Sequence, residues 1–555
     1  MGHSEPWVRI ISLGGLGEIG MNMTLLDTGE DLLIIDAGLM FPEEEMLGID
    51  LVLPETTYLL EQRQRVRGVI LTHGHEDHTG SLPFLLQQLP VPVYGTPLAL
   101  GLAQEKLREF GLDQTADLRP IQAGDSLRLG EVRLEFIRVN HSIPDGVAVA
   151  AHTPAGLLVH SGDFKFDQTP VDGRLTDFRK FAELGEQGVL VLLSDSTNAT
   201  KEGFTPSESA IGQTFESIFR TAPRRIIVAC FASHIHRIQQ VLDVAAGLGK
   251  KVAVTGKSMV ANRRIAAELG HLRVPEDTLV RLDDLKRYPP DQGVIITTGS
   301  QGEPLSAVAR MAVGEHKQIK IQPGDTVIFS ARVIPGNEKS IARTVNHLFR
   351  RGAHVITEDV MPGVHVSGHG SQEELKLMLN LIRPRFFVPV HGEYRHLYSH
   401  ARLARQVGIR EENIFLLENG EVLEVTPTWG KVVGQVPAGR IFVDGKGVGD
   451  VGDTVLRDRQ HLAQDGMVVV VIGFDTAGTV VAGPDIVSRG FAHLPEDDIL
   501  FDEARRLIIT VLEGCSVEEK TDWTLVKQRI RSVLRKFLQK RVDRRPMILP
   551  VIIEV

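Results

Sequence analysis

Two cysteines in 555 residues, Cys230 and Cys515, are too few and too far apart for a disulfide framework or a thiolate metal site, and both read as buried thiols. Apolar runs of about 18 residues, the length that crosses a bilayer, are missing, as is a leader with charged, apolar and small-residue zones. The expected setting is the cytoplasm, with no membrane partner. Positive charge is also short: 61 lysines and arginines against 71 aspartates and glutamates leave a net charge of −10. Such a chain has no global attraction for a polyanion, so any nucleic acid must be held by a local basic surface and by metal. The length suggests about three or four units rather than one core.

Ligating side chains are what the sequence does hold, concentrated at Thr72-His73-Gly74-His75-Glu76-Asp77-His78. The stretch follows the apolar Val69-Ile70-Leu71 and precedes a turn into a helix, so it reads as a strand-to-helix loop. Imidazoles and a carboxylate suit a borderline-soft divalent ion such as zinc, and they are too many for one open centre that also holds water. Two metals are the better reading, with His73 and His75 sharing one ion while Asp77 and His78 turn toward a second.

Gly15-Leu16-Gly17-Glu18-Ile19-Gly20 fits a dinucleotide-binding fingerprint, but the following Met21 to Asp27 and the turn at Thr28-Gly29-Glu30-Asp31 read as a hairpin instead of the required helix. To about residue 208 short strands alternate with helices, which implies layered sheets with outer helices. From 209 to 363 helices alternate with parallel-type strands at Arg225 to Ala229, Lys251 to Thr255, Gly293 to Thr297 and Thr326 to Ser330, the pattern of an insert with its own core. Residues 450–465 are polar and read as a linker. Beyond them, strands at Met467 to Gly473 and Thr479 to Val487, helices at Glu496 to Glu513 and Trp523 to Arg541, and a strand at Ile548 to Val555 form a last unit. In its second helix Val526, Ile530, Val533 and Phe537 make an apolar stripe; the basic residues off that stripe read as a solvated face first and an RNA surface second.

The H-x-H-x-D-H string resembles the signature of the metallo-β-lactamase superfamily, and the resemblance extends residue by residue. It implies an αββα sandwich in which His73, His75, Asp77 and His78 are joined as metal ligands by His141, by Asp163 as the bridge between both metals, and by His391. Asp36 matches the strand-end aspartate that orients the histidine loop from behind. Asp195, at the end of Leu190 to Ser194, and His369 and His391 resemble the motifs of the β-CASP branch, whose RNA-processing members carry histidine at the third; a strand-end aspartate such as Asp195 also commonly caps a turn. The whole plan resembles the bacterial ribonuclease J family, on stretches that include Thr298-Gly299-Ser300-Gln301-Gly302-Glu303-Pro304 and Ile334-Pro335-Gly336-Asn337-Glu338.

That resemblance implies a metallo-β-lactamase domain in two parts, 1–208 and 364–449, a β/α β-CASP domain at 209–363, a linker at 450–465 and an α+β C-terminal domain at 466–555. It implies a metal-dependent ribonuclease with 5′-to-3′ exonuclease and endonuclease activity on single-stranded RNA, a preference for 5′-monophosphate ends, and roles in messenger decay and ribosomal RNA maturation. Two zinc ions are expected, with manganese compatible with the same ligands, and Asp50 and Asp444 are candidates for a further structural divalent ion. Asp77, Asp195 and His369 are the expected catalytic residues, His369 stabilising developing charge or protonating the leaving oxygen. RNA is expected to meet Ser233, His234, Ile235, His365, Val366, Ser367, Gly368, His369 and Ser371, with the terminal phosphate among Ser233, His234, His365, Ser367 and Ser371. A homodimer or dimer of dimers and contact with other RNA-decay proteins are also implied. Two rival readings stay open on the residues alone: a small-molecule dinuclear zinc hydrolase, and a metal-depleted RNA-binding scaffold.

Overall fold

A computed structural model describes residues 5–555 except 304, 335, 476–477, 492–496, 517–519 and 521. Glu496, the predicted start of one helix, and the prolines of two quoted motifs, Pro304 and Pro335, lie outside the described residues. The chain divides into two units, residues 1–41 with 51–441 and residues 42–50 with 442–555.

In the first unit a sheet of eight strands runs in the order Gly430–Gln435, Glu421–Val425, Val8–Gly14, Met23–Asp27, Leu32–Ile35, Val66–Leu71, Val93–Gly95, Leu118–Pro120. A second runs Phe386–Val390, Val191–Asp195, Gly156–His160, Val147–Thr153, Val132–Arg138, Ser126–Leu129. Alternation along each strand separates the layers. Ile10, Leu26, Leu33 and Ile35 meet Leu134, Phe136, Val149, Leu158 and Val191 between the sheets. Their neighbours Ile11, Leu25 and Ile34 face outward onto Leu82, Leu85, Ala99 and Leu107 of two helices, and Ala148, Val159, Leu192 and Phe387 face Phe181, Leu184, Leu375 and Leu403 on the far side. Both faces of the strands are therefore covered, which is why strands such as Leu32–Ile35 read as unbroken apolar runs. The result is the expected αββα sandwich.

The chain leaves this sandwich after Asp195 and returns before Ser371. In between, five parallel strands run in the order Lys251–Val254, Gly293–Thr297, Ile226–Ala229, Thr326–Phe329, His354–Ile356. Helices Ala210–Thr221, Ile235–Gly247 and Lys257–Glu268 cover one face and Ala307–Val313 with Glu338–Arg350 the other. The glycine-rich stretch opens no helix. Its Leu16–Gly17 pairs with Gly392–Glu393, and Gly15 has φ +90°, a conformation suited to glycine.

In the second unit, strand Met467–Phe474 pairs antiparallel with Val480–Arg489 and parallel with Met547–Glu554. Two of its differences from expectation have clear causes. Residues 453–465 form the helix Asp453–Asp465 rather than a linker; only Leu456 is buried along it, so it lacks an apolar period to read. In helix Trp523–Val542 the buried stripe is Val526, Ile530, Leu534 and Leu538, four residues apart, with Val533 and Phe537 only half-buried beside it. Among the described residues no helix is long and apolar enough to cross a membrane.

Candidate metal centre

Parallel strands deliver the ligands. Gly156–His160, Val191–Asp195 and Phe386–Val390 run side by side in one direction, so the loops after them bring Asp163, Asp195 and His391 to a common edge. Leu32–Ile35 and Val66–Leu71, parallel in the facing sheet, end at Asp36 and Thr72 and bring the histidine loop to the site.

Two groups of four donors result: His73, His75, His141 and Asp163, and Asp77, His78, His391 and Asp163. In the first, His73 Nε2 and His141 Nε2 each lie 3.1 Å from His75 Nδ1 and 3.7 Å from Asp163 Oδ2. In the second, His391 Nε2 is 3.2 Å from Asp77 Oδ2 and 3.5 Å from Asp163 Oδ2, while His78 Nε2 is 3.6 and 3.3 Å from the same oxygens. A tetrahedron with arms of about 2.0–2.1 Å has edges of about 3.3 Å. The donor spacing is that of two such shells sharing one oxygen. Asp163 Oδ2, the shared atom, is buried and has no hydrogen-bond partner, which a carboxylate oxygen does not tolerate without a cation. The residues fit a pair of divalent ions.

Hydrogen bonds behind the ligands set which nitrogen faces inward. His78 Nδ1 donates to Asp36 Oδ2 at 2.8 Å, His141 Nδ1 to the Gly368 carbonyl at 2.8 Å, and His73 Nδ1 to Thr72 Oγ1 at 3.0 Å. His391 Nδ1 donates to Thr197 Oγ1 at 2.6 Å, and that hydroxyl in turn donates to Asp195 Oδ1 at 2.8 Å. Four rings therefore turn Nε2 toward the site, and only His75 turns Nδ1 inward. Gly368 must be glycine, because a Cβ there would lie 2.6 Å from the His141 ring.

The two donor groups differ in charge. Burial holds His73 and His141 well below the usual imidazole range and His75 at about 4, so the three imidazoles of the first group are neutral near pH 7. In the second, burial opposes the charged form of His391, but Asp163, Asp77 and Asp195 outweigh it and lift the group to about 9. Asp163, Asp77 and Asp36 likewise raise His78 against its burial. Without metal, protons on these two rings do part of the ions' electrostatic work.

His369 belongs to a third cluster with Asp163, Asp195 and His391. Its Nδ1 donates to Asp195 Oδ2 at 2.7 Å, and Asp195 accepts the Thr197 N–H as well, so this aspartate is a shared anchor and not merely a turn cap. Asn198 ties the same loop, donating to Ser367 Oγ at 2.9 Å and to the His369 carbonyl at 2.8 Å. Thr72, Thr197 and Asn198 were within reach of the sequence as neighbours of the motifs, yet no spacing marks their partners.

Of the candidates for the terminal phosphate, Ser233 is half-buried just before helix Ile235–Gly247, and His234 and His365 meet edge to face with ring centres 6.2 Å apart. Ile235 and Val366 instead bury their side chains in the insert's core, leaving only backbone to reach a ligand. Ser371 is committed elsewhere: it caps helix Gln372–Ile382 in a capping box with Glu374, and its hydroxyl meets Thr205 Oγ1 at 2.9 Å. The S-x-x-E spacing was legible. In the second unit Asp50 accepts the Gly445 N–H at 2.8 Å and Asp444 is ion-paired with Arg459. Among the described residues, no cluster of three imidazole, thiolate or carboxylate ligands includes either.

Comparison with known proteins agrees with this architecture. Residues 16–191 match the metallo-beta-lactamase superfamily, 223–348 the ribonuclease J beta-CASP domain, 355–416 the Zn-dependent metallo-hydrolase RNA specificity domain, and 454–555 the ribonuclease J C-terminal domain. The chain is 45% identical over 549 residues to ribonuclease J2 of Bacillus subtilis, covering 99% of each. It is also 45% identical over 564 residues to ribonuclease J of Thermus thermophilus, covering all of this chain and 96% of that one. A solved structure of a protein of unknown function from Enterococcus faecalis V583 shares the fold, with a TM-score of 0.55 and 14% identity over 76% of this chain and all of that one.

Proposed function

The chain belongs to the ribonuclease J family and is a metal-dependent ribonuclease; from that premise we propose how its residues divide the work. Two ions, zinc with manganese able to replace it, are held by His73, His75 and His141 on one side and Asp77, His78 and His391 on the other, with Asp163 common to both. The observation that carries this reading is the single Asp163 oxygen, unpartnered and buried, that both donor groups share. When bound, the ions supply a nucleophilic water at neutral pH and Lewis acidity toward a phosphodiester.

The protein's own groups do the rest. Asp36, Thr72, Thr197 and the Gly368 carbonyl keep the ligand rings in one tautomer. Asp195 takes the Nδ1 proton of His369, which leaves Nε2 as the ring's free nitrogen. A proton carried there passes to the departing ribose oxygen, a poor leaving group without such help. Asp77, partly exposed at the mouth, completes the catalytic set.

The substrate is single-stranded RNA, cleaved internally and stepwise from a 5′-monophosphate end. Ser233, His234, His365 and Ser367, with the backbone around Ile235, Val366 and Gly368, receive the terminal phosphate; they offer hydroxyls, imidazoles and amides to an anion. The domains run 1–208 with 364–449, 209–363 and 466–555. The enzyme acts in the cytoplasm as a homodimer or dimer of dimers, in messenger decay and ribosomal RNA maturation, in contact with other RNA-decay proteins. The test is one assay with three labelled RNAs that differ only in the 5′ group. A monophosphate end is expected to be shortened stepwise much faster than a triphosphate or hydroxyl end, and equal rates refute the pocket.

A further inference from the structure

Arg237 is fully buried, although it carries a charge and lies in the first turn of helix Ile235–Gly247. Its Nε and Nη2 donate to Glu208 Oε1 at 3.0 and 2.8 Å, and its Nη1 donates to the Ser330 hydroxyl and carbonyl and to the Val364 carbonyl at 3.2 Å. Glu208 lies on the segment by which the chain leaves the sandwich for the insert; Val364 lies on the segment by which it comes back. One guanidinium thus holds both crossings, together with the end of the insert's strand Thr326–Phe329.

From Glu208 the network continues in two directions. Toward the pocket, His234 Nε2 lies 3.1 Å from Glu208 Oε1. Toward the metals, the Glu208 N–H donates to Asp167 Oδ2 at 2.9 Å, and the buried Lys165 lies 3.4 Å from that oxygen and 3.9 Å from Glu208 Oε2. Lys165 and Asp167 follow Asp163, the shared metal ligand, by two and four residues. A continuous line of buried polar contacts therefore joins a residue of the 5′-end pocket to the segment that carries the bridging ligand. His365 Nδ1 is buried without a hydrogen-bond partner, which leaves a polar atom spare at the pocket end of that line.

A buried ion pair of this kind is weak evidence for stability, since apolar replacements of the same volume often serve as well or better. What it does supply is fixed geometry. We propose that Glu208 and Arg237 are positioning residues that set the distance between the 5′-phosphate pocket and the metal centre, and so make the exonucleolytic step one nucleotide long. This rests on the pocket assigned above. If the distance is loose, the terminal phosphate still binds, but the bond presented to the metals is no longer always the first.

The experiment uses the full-length enzyme with its metals and a 5′-monophosphorylated RNA labelled throughout, with products resolved by length. The unmodified enzyme is expected to release mononucleotides only. Glu208→Leu combined with Arg237→Met, which removes both charges and keeps the volume, should release mixed mono-, di- and trinucleotides, with stepwise turnover down by about a hundredfold, the scale of an ångström of misplacement. Internal cleavage of the same RNA bearing a 5′ hydroxyl should change by less than about threefold, because that mode does not use the pocket. Should the double variant not fold, Glu208→Gln, which keeps the shape and loses the charge, is judged by the same two readouts. Mononucleotides alone at the unmodified rate, or equal loss of stepwise and internal cleavage, would overturn the proposal. Failure of the pocket itself looks different: the unmodified enzyme would then ignore the 5′ group.

Discussion

Replacing Asp36 by asparagine isolates the role of a single oxygen. Asp36 is buried with φ +65°, a left-handed conformation that asparagine also accepts, so the substitution keeps shape and backbone. The side-chain oxygen that remains can still accept from the Thr72 N–H, which meets Asp36 Oδ1 at 2.8 Å. The new amide nitrogen then faces His78 Nδ1, where Asp36 Oδ2 stood at 2.8 Å, and two donors cannot share a hydrogen bond. His78 must move its proton to Nε2, the atom required for the metal, or leave a buried donor unpaired. Loss of a charge-assisted bond of this kind is worth ~1.5–3 kcal/mol, which lowers affinity at the Asp77, His78 and His391 group by about ten- to a hundredfold. Thr72 Oγ1, which holds His73, lies 3.1 Å from the oxygen that remains and can still donate to it, so the group of His73, His75 and His141 should bind as before. Calorimetric titration of the metal-free protein resolves the two events. Two unchanged binding steps, or equal weakening of both, would refute the tautomer argument.

Three further outcomes are expected. His369→Ala should lower turnover by about a hundredfold or more while both ions stay bound, read as kcat beside metal content, because its proposed part is to assist the leaving oxygen and not to hold an ion; metal lost in step with activity would make it a ligand. Metal binding at the second group should release protons near neutral pH, because His391 holds its proton up to about 9 and His78 is raised as well, whereas the first group should release almost none. Affinity at the second group therefore climbs with pH at least to about 9, and titrations in buffers of different ionisation enthalpy count the protons. Ser233→Ala should narrow the advantage of a 5′-monophosphate and spare internal cleavage, whereas Ser371→Ala should cost about 1 kcal/mol of stability through its helix cap, seen as a lower Tm.

The donors that the structure brings together were legible because they follow apolar runs, in an order that the residue types themselves restrict. The sandwich was legible for a related reason: strands covered on both faces leave few polar positions to confuse their limits. What lay beyond reading were pairs without local pattern. Thr197 and His391 are 194 positions apart, and Glu208 and Arg237 announce themselves only when a guanidinium is found with no water around it. Helix Asp453–Asp465 was hidden by its own polarity. Ser371 carries two signals at once, since a serine beside a histidine motif suggests a ligand pocket while the glutamate three residues on marks the helix start that the structure shows.

The sheet that begins the chain also imposes an order on its birth. Strand Val8–Gly14 lies between Met23–Asp27 and Glu421–Val425, and His391 follows a strand that borders the other sheet. A nascent chain thus carries an unpartnered strand edge until about three-quarters of it has been made, and its donor set stays incomplete for nearly as long. Until His391 has emerged, the second donor group lacks one of its four members. The same delay leaves an early strand edge unpaired during synthesis, the situation in which long-range β pairing is slow and open to wrong partners.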